Sequence, residues 1–289
     1  MSRFFIFMIA VGILYSNHLI AHEKYEIMEK EFQIDSERFE INIDIGLSKL
    51  IVSKGEKGNV CYLYVKYKKD KSDTDIYFDE KKGKLNIYID NGIFKEDDHD
   101  YNNDNHSSDL AKIVLELPCN PQIDIKAKVK AGEISFLLGD ITLNSFELKN
   151  WAGEVDIDFD QPNRTVLEYF DLNCKIGELK IRNFGNAHCK EADIDGGIGE
   201  MSLDFRGDRT TGTSAVIDLD LGNTSIIIPE NVNTKMKVAK FLFLSNIEYP
   251  DWFKKRGNYY YSRDYIETEN ALYLDISTGI GDLEIQLRE

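Results

Sequence analysis

Positive charge is what this 289-residue chain lacks most: 35 Lys and Arg stand against 51 Asp and Glu, a formal net charge of −16. Nucleic-acid binding needs clustered Lys and Arg, so no nucleic acid is expected as a partner. Anionic membrane surfaces are disfavoured on the same ground. Long apolar runs are also scarce. Phe4 to Tyr15 is the exception, at 12 residues, against the roughly 20 that a bilayer requires. Placed behind Arg3, it reads as an export signal over residues 1–21 with cleavage after Ala21, and no Cys lies near that point for lipid attachment. An uncleaved anchor is the alternative. The expectation is an exported protein (periplasmic, at the cell surface or secreted) with no transmembrane span in the mature chain.

The signatures of catalysis are missing too. There is no G-x-S-x-G elbow, H-E-x-x-H pair, phosphate-cradling glycine loop or nucleotide fingerprint. The five His are His18, His22, His99, His106 and His188, and they form no motif. Cys61, Cys119, Cys174 and Cys189 contain no CxxC pair, so zinc is not expected. Export would permit disulfides, including one between Cys174 and Cys189, but buried free thiols remain equally open. No catalytic residue and no cofactor are expected.

Helical periodicity is nearly absent after the signal, and period-2 alternation takes its place. Phe39-Glu40-Ile41-Asn42-Ile43-Asp44-Ile45, Tyr62-Leu63-Tyr64-Val65 and Leu85-Asn86-Ile87-Tyr88-Ile89 each read as a strand with one buried face. These place a β-rich N-terminal domain over residues 22–118, broken by a polar stretch at 95–109 and closed at Pro118.

From there a phrase recurs six times: an apolar residue, a spacer, then Gly, an acidic or amide residue, and an alternating apolar pair. Its glycines are Gly132, Gly153, Gly177, Gly199, Gly222 and Gly281, spaced by 21, 24, 22, 23 and 59 residues. A period of about 20–25 residues built from short strands and Gly turns is the mark of a stacked coil. The fold expected is all-β: a β-rich N-terminal region continuing into a right-handed parallel β-helix of about six coils over residues 119–289. The 59-residue gap reads as one coil carrying an insertion at 229–270.

Two stretches resemble known families. Asp44-Ile45-Gly46-Leu47-Ser48-Lys49-Leu50-Ile51-Val52, followed by Gly83-Lys84-Leu85-Asn86-Ile87, is similar to the N-terminal toast-rack domain of bacterial envelope proteins. Ala131-Gly132-Glu133, Gly197-Ile198-Gly199-Glu200, Leu203-Asp204-Phe205-Arg206-Gly207, Ile228-Pro229-Glu230 and Gly279-Ile280-Gly281-Asp282 resemble the adhesin-like β-helix of the same group. That domain is related to the C-terminal domain of LiaF-like cell-wall stress proteins. The resemblance implies a right-handed β-helix, an envelope location and no catalysis. LiaF-like proteins carry several membrane spans before this domain, and only a signal is expected there in this chain.

Three sets of residues are candidate sites. The acidic column Glu133, Glu154, Glu178 and Glu200, with Asn223 and Asp282, would place oxygens about 5 Å apart and offers weak calcium ligands; a solvated corner is the plainer reading. Asp156, Asp158 and Asp160 could line a groove like that of a polysaccharide-processing β-helix enzyme. The favoured binding residues are the aromatics Tyr249, Trp252, Phe253, Tyr259, Tyr260 and Tyr261, beside Lys254, Lys255 and Arg256. Exposed, they would stack on sugars or fill an interface with an envelope polymer or protein; folded back, they would cap the stack. The functional expectation is a structural or binding module of adhesin-like type. The alternatives are a regulatory partner in envelope-stress sensing and a polysaccharide-processing enzyme.

Overall fold

The computed structural model describes residues 25–91, 110–240 and 245–289. The expected export signal and the polar break at 95–109 lie outside the described residues. Among the described residues no helix is long and apolar enough to cross a membrane.

The chain is all-β. In order its strands are β1 (Tyr25–Gln33), β2 (Arg38–Lys54), β3 (Val60–Lys68), β4 (Asp73–Asp79), β5 (Lys84–Asp90), β6 (Ala111–Leu117), β7 (Gln122–Leu137), β8 (Leu143–Asp158), β9 (Leu167–Arg182), β10 (Cys189–Asp204), β11 (Thr213–Pro229), β12 (Thr234–Lys240), β13 (Ser245–Glu248), β14 (Lys254–Arg256), β15 (Tyr259–Tyr261) and β16 (Leu272–Arg288). All sixteen belong to one mixed, largely parallel sheet.

The long strands cannot be straight. A straight strand of the length of β7 would span roughly 50 Å. Yet β8 starts beside the start of β7, with Leu143 paired to Ile123, after a link of only residues 138–142. Such a link reaches about 20 Å, so each rung must turn back on itself. It turns at the repeated glycine. The buried positions of β7 run Ile125, Ala127, Val129 and then change phase to Ile134 and Phe136 across Gly132. Gly153 shows why no other residue serves: its φ is 125°, and a Cβ there would run into the carbonyl oxygen of Gly132 on the rung below.

The links stack as well. Arg164 N–H donates to the Ile141 carbonyl at 2.8 Å, and Gly185 N–H to the Arg206 carbonyl at 2.9 Å. Buried Asn163 braces this side, donating to the Leu143 carbonyl at 2.8 Å and accepting from Leu143 N–H at 2.9 Å. Asn163-Arg164-Thr165 and Asn223-Thr224-Ser225 both spell an N-glycosylation sequon; Asn163 is inside the protein, whereas Asn223 is exposed.

Each rung thus has a first leg before its corner and a second leg after it, and enclosed between legs and links is one apolar core. Phe146 and Phe170 stack at 5.0 Å and 11° on adjacent rungs. Phe159, Phe184 and Phe205, one per link, continue beside them edge-to-face. All four cysteines are free and buried, which answers the disulfide question for this fold. Burial pushes the Cys189 thiol up to about 12.

Nine parallel rungs, rather than about six, stack among the described residues. The three further rungs lack the Gly-acid phrase. β2 pairs with β7 from Arg38–Gln122 to Ser53–Leu137, so the sheet runs uninterrupted past residue 118. The other edge of β2 carries β5 and β6 as two halves of one rung. At the far end β12 and β13 pair with successive parts of β16. The last strand in sequence is therefore the next-to-last parallel rung in space, inserted between β11 and β12–β13. The stretch 229–270 thus contains a rung of its own. Antiparallel strands close both ends: β3 and β4 with β1 outermost at one, β15 and β14 at the other.

Candidate recognition surface

The C-terminal closure divides the aromatic cluster between the core and the surface. β14 and β15 form a hairpin around Gly257, whose φ of 63° suits a tight turn. Alternation along β15 then sends Tyr260 inward and Tyr259 and Tyr261 outward. Tyr260 and Phe253, 6% and 5% exposed, join Met236 in the core. These two are capping residues. Tyr249 packs edge-to-face on Tyr260 at 4.8 Å. Half-buried Trp252 lies under the Arg263 guanidinium at 5.3 Å.

Outward, sheet register builds a surface of alternating rings and cations. Lys254, Tyr261, Lys235 and Tyr273 lie side by side across β14, β15, β12 and β16, with Arg256, Tyr259, Lys237 and Asp275 in the next row. The Lys235 ammonium sits 4.8 Å from the Tyr259 ring centroid, 5.6 Å from Tyr273 and 5.9 Å from Tyr261. Arg256 lies over Tyr261 at 5.5 Å. Lys237 is bound to Asp275 at 2.9 Å, which raises its pKa. Tyr265 hydrogen-bonds Tyr273 through the hydroxyls at 3.2 Å; burial and that bond raise the pKa of Tyr265. Such a surface offers π faces for sugar rings and cations for carboxylate or phosphate groups. Sequence reasoning missed Lys235, Lys237 and Tyr273. The available signal was the alternation Lys235-Met236-Lys237-Val238, which marks a strand with its cations on one face.

The acidic column forms in register, Glu133 beside Glu154, then Glu178, Glu200 and Asn223. Each carboxylate is exposed, and Lys49 on β2 caps the column at 2.5 Å from Glu133. Among the described residues no three His, Cys, Asp or Glu side chains gather as a metal-holding group. The second legs bearing this column also form a shallow open groove whose outward side chains include Lys180, Ser202, Ser225 and Glu284. Asp156 and Asp158 are engaged by one guanidinium, with Arg182 at 2.8 Å from each; Asp160 is exposed. Arg206, the first residue of an Arg-Gly-Asp tripeptide, is folded back onto Asp204 at 2.7 Å.

Residues 16–182 match a family model described as the N-terminal domain of toast_rack, DUF2154. The match runs beyond residue 118 to the end of β9, as the continuous sheet does. No curated protein matches the chain. Among solved structures, a candidate cell adhesion protein from Clostridium sporogenes is similar at 16% identity and a TM-score of 0.48, over 92% of this chain and 100% of that one. A candidate adhesin from Bacteroides fragilis is similar at 10% identity and a TM-score of 0.36, over 90% and 97%.

Proposed function

The chain belongs to the toast_rack family through its N-terminal domain, and from that premise we propose that it is an exported, non-catalytic binding module of the cell envelope, adhesin-like in kind. In this reading the bent rungs form a right-handed parallel β-helix. Short links between adjacent parallel strands support the coil, and the strong preference for right-handed crossovers supports its hand. The apolar run behind Arg3 supports export.

The observation that carries the binding role is the outward face of the C-terminal closure. Tyr259 and Tyr261 are not needed to fill the core, which Tyr260 and Phe253 close. They lie beside Lys235 and Arg256 on a chain otherwise short of positive charge. That pairing selects an anionic polysaccharide of the envelope: rings stack on rings, and cations meet carboxylate or phosphate. Affinity electrophoresis through gels containing dextran sulfate, hyaluronate or neutral dextran tests this. The intact protein is expected to be retarded by the polyanions and not by dextran. The Tyr259→Ala/Tyr261→Ala variant is expected to lose retardation while keeping its melting temperature within a few degrees. Retardation unchanged in that variant overturns the assignment of the surface.

A further inference from the structure

The outer face of the first legs carries a shallow polar cleft at the end of the stack opposite the C-terminal tyrosines. Two grooves make it, about 230 and 290 Å³ in volume, and both are lined by Asn42 and Lys126. The first crosses β5, β2 and β7 and is lined also by Tyr88, Asp44, Asn86 and Lys128. The second continues over β7 and β8 to Tyr169 on β9, past Asp124 and Ser145. Tyr88 and Tyr169 are 39% and 42% exposed, so each end of the cleft holds a ring open to solvent. Tyr77, paired with Asn86, adds a third exposed ring beside Tyr88.

Between the rings, hydrogen-bonding atoms stand open. The Asn42 amide nitrogen donates to the Glu40 carboxylate and to the Asn86 side-chain oxygen, both at 3.1 Å. A carboxylate only accepts, which fixes that orientation. The Asn42 oxygen is then an available acceptor and the Asn86 nitrogen an available donor. Ser145 donates to Asp124 at 2.6 Å and keeps its oxygen as an acceptor. Charge is largely settled within the cleft: Lys84 holds Glu40 and Lys126 holds Glu147, each at 2.6 Å. Asp44 and Lys128, one of each sign, lie abreast in register. Glu147, Asp171 and Glu191 surround Tyr169 and repel a polyanion from that end. Rings for stacking, mixed donors and acceptors and no excess of positive charge suit an uncharged sugar chain.

We propose that this cleft binds a neutral, extended β-1,4-linked glycan whose rings stack on Tyr88 and Tyr169. From Tyr88 to Tyr169 the register runs four rungs across and four residues along, roughly 23 Å. An extended β-1,4-linked chain advances by close to one rung spacing, about 4.8 Å, per ring, so about four or five rings reach from one tyrosine to the other. Dextran does not fit, because its α-1,6 linkages add a rotatable bond and do not hold the rings at that spacing. The cleft is separate from the C-terminal tyrosine surface and does not depend on what that surface binds.

Isothermal titration calorimetry with cellohexaose is expected to show one site with a dissociation constant below about 1 mM. Tyr88→Ala and Tyr169→Ala should each weaken binding at least about fivefold, whereas Tyr169→Phe, which keeps the ring, should stay within about twofold. Both rings lie outside the core, so melting temperatures should hold within a few degrees. Tyr259→Ala/Tyr261→Ala should leave cellohexaose binding unchanged, which separates this cleft from the polyanion surface. Absence of heat with cellohexaose at about 5 mM overturns the proposal. So does equal binding of the α-1,6-linked isomaltohexaose, binding indifferent to both Tyr88→Ala and Tyr169→Ala, or binding lost in the Tyr259→Ala/Tyr261→Ala variant.

Discussion

Inner and outer rungs of this stack solve the same corner in different ways. In β7, β8, β9, β10, β11 and β16 the chain turns without leaving the sheet, on a glycine of φ between 125° and 148°. In the rungs toward each end the strand is split at the corner: β5 stops at Asp90 and β6 resumes at Ala111, while β12 stops at Lys240 and β13 resumes at Ser245. β2 is intermediate. Ser48 occupies the corner register beside Gly132, and the Asn91 side chain clasps the bend, accepting from Leu47 N–H at 2.9 Å and donating to the Leu47 carbonyl. The glycine is thus demanded by a neighbouring carbonyl where a Cβ would stand, rather than by turning as such.

The largest effect expected from this contrast is in the core. Phe170 is stacked on Phe146 and touches Phe159 and Phe184, all fully enclosed. Phe170→Ala should cost about 3–5 kcal/mol. Phe253→Ala, at the closure where the surroundings can settle toward solvent, should cost roughly half as much. Urea titrations followed by circular dichroism measure both, and equal costs would mean that the closure packs as tightly as the interior.

The corner comes next. Gly177→Ala places a methyl group against the Gly153 carbonyl at a φ of 134° and should cost about 3 kcal/mol or more. Gly257→Ala, in the C-terminal hairpin, also sits at positive φ, but nothing lies within 4 Å of the added carbon. It should cost about 1 kcal/mol, the conformational term alone. Comparable losses at the two sites would refute the carbonyl as the reason for the glycine column.

The same contrast explains what could be read from the residues. Glycine followed by an acidic or amide residue recurs where a rung has neighbours on both sides and a strict corner, so all six such rungs were legible. β2 was legible as a strand over Phe39–Ile45 but not as a rung, because Ser48 replaces the glycine and the distant Asn91 clasps Leu47, and no local pattern links residues 44 positions apart. Nor was the placement of β16 between β11 and β12, since periodicity orders rungs along the chain and not in space. The aromatic cluster was legible as a cluster. Its division into capping and outward rings followed from the single-residue alternation of β15, and Lys235 and Tyr273 reach it only through sheet register.

The smallest effect is electrostatic and tests the links. Asp140, at a φ of 52°, is bonded by Arg164 at 2.7 Å and by Lys54. The Arg164 guanidinium, with Lys54 beside it, holds its carboxyl well below the usual carboxylate range. A carboxylate with a lowered folded-state pKa stabilises the protein fully above its unfolded value near 3.9, and that contribution disappears as pH falls toward the folded value. All three side chains are more than a third exposed or close to it, so screening limits the contribution to under about 1 kcal/mol. Asp140→Asn keeps the positive φ, which Asn tolerates well, and removes only the charge. Melting temperatures of the two proteins should therefore differ by a few degrees at pH 7 and converge between about pH 4 and pH 2. A difference that persists unchanged into acid would assign the role of Asp140 to hydrogen bonding rather than to its charge.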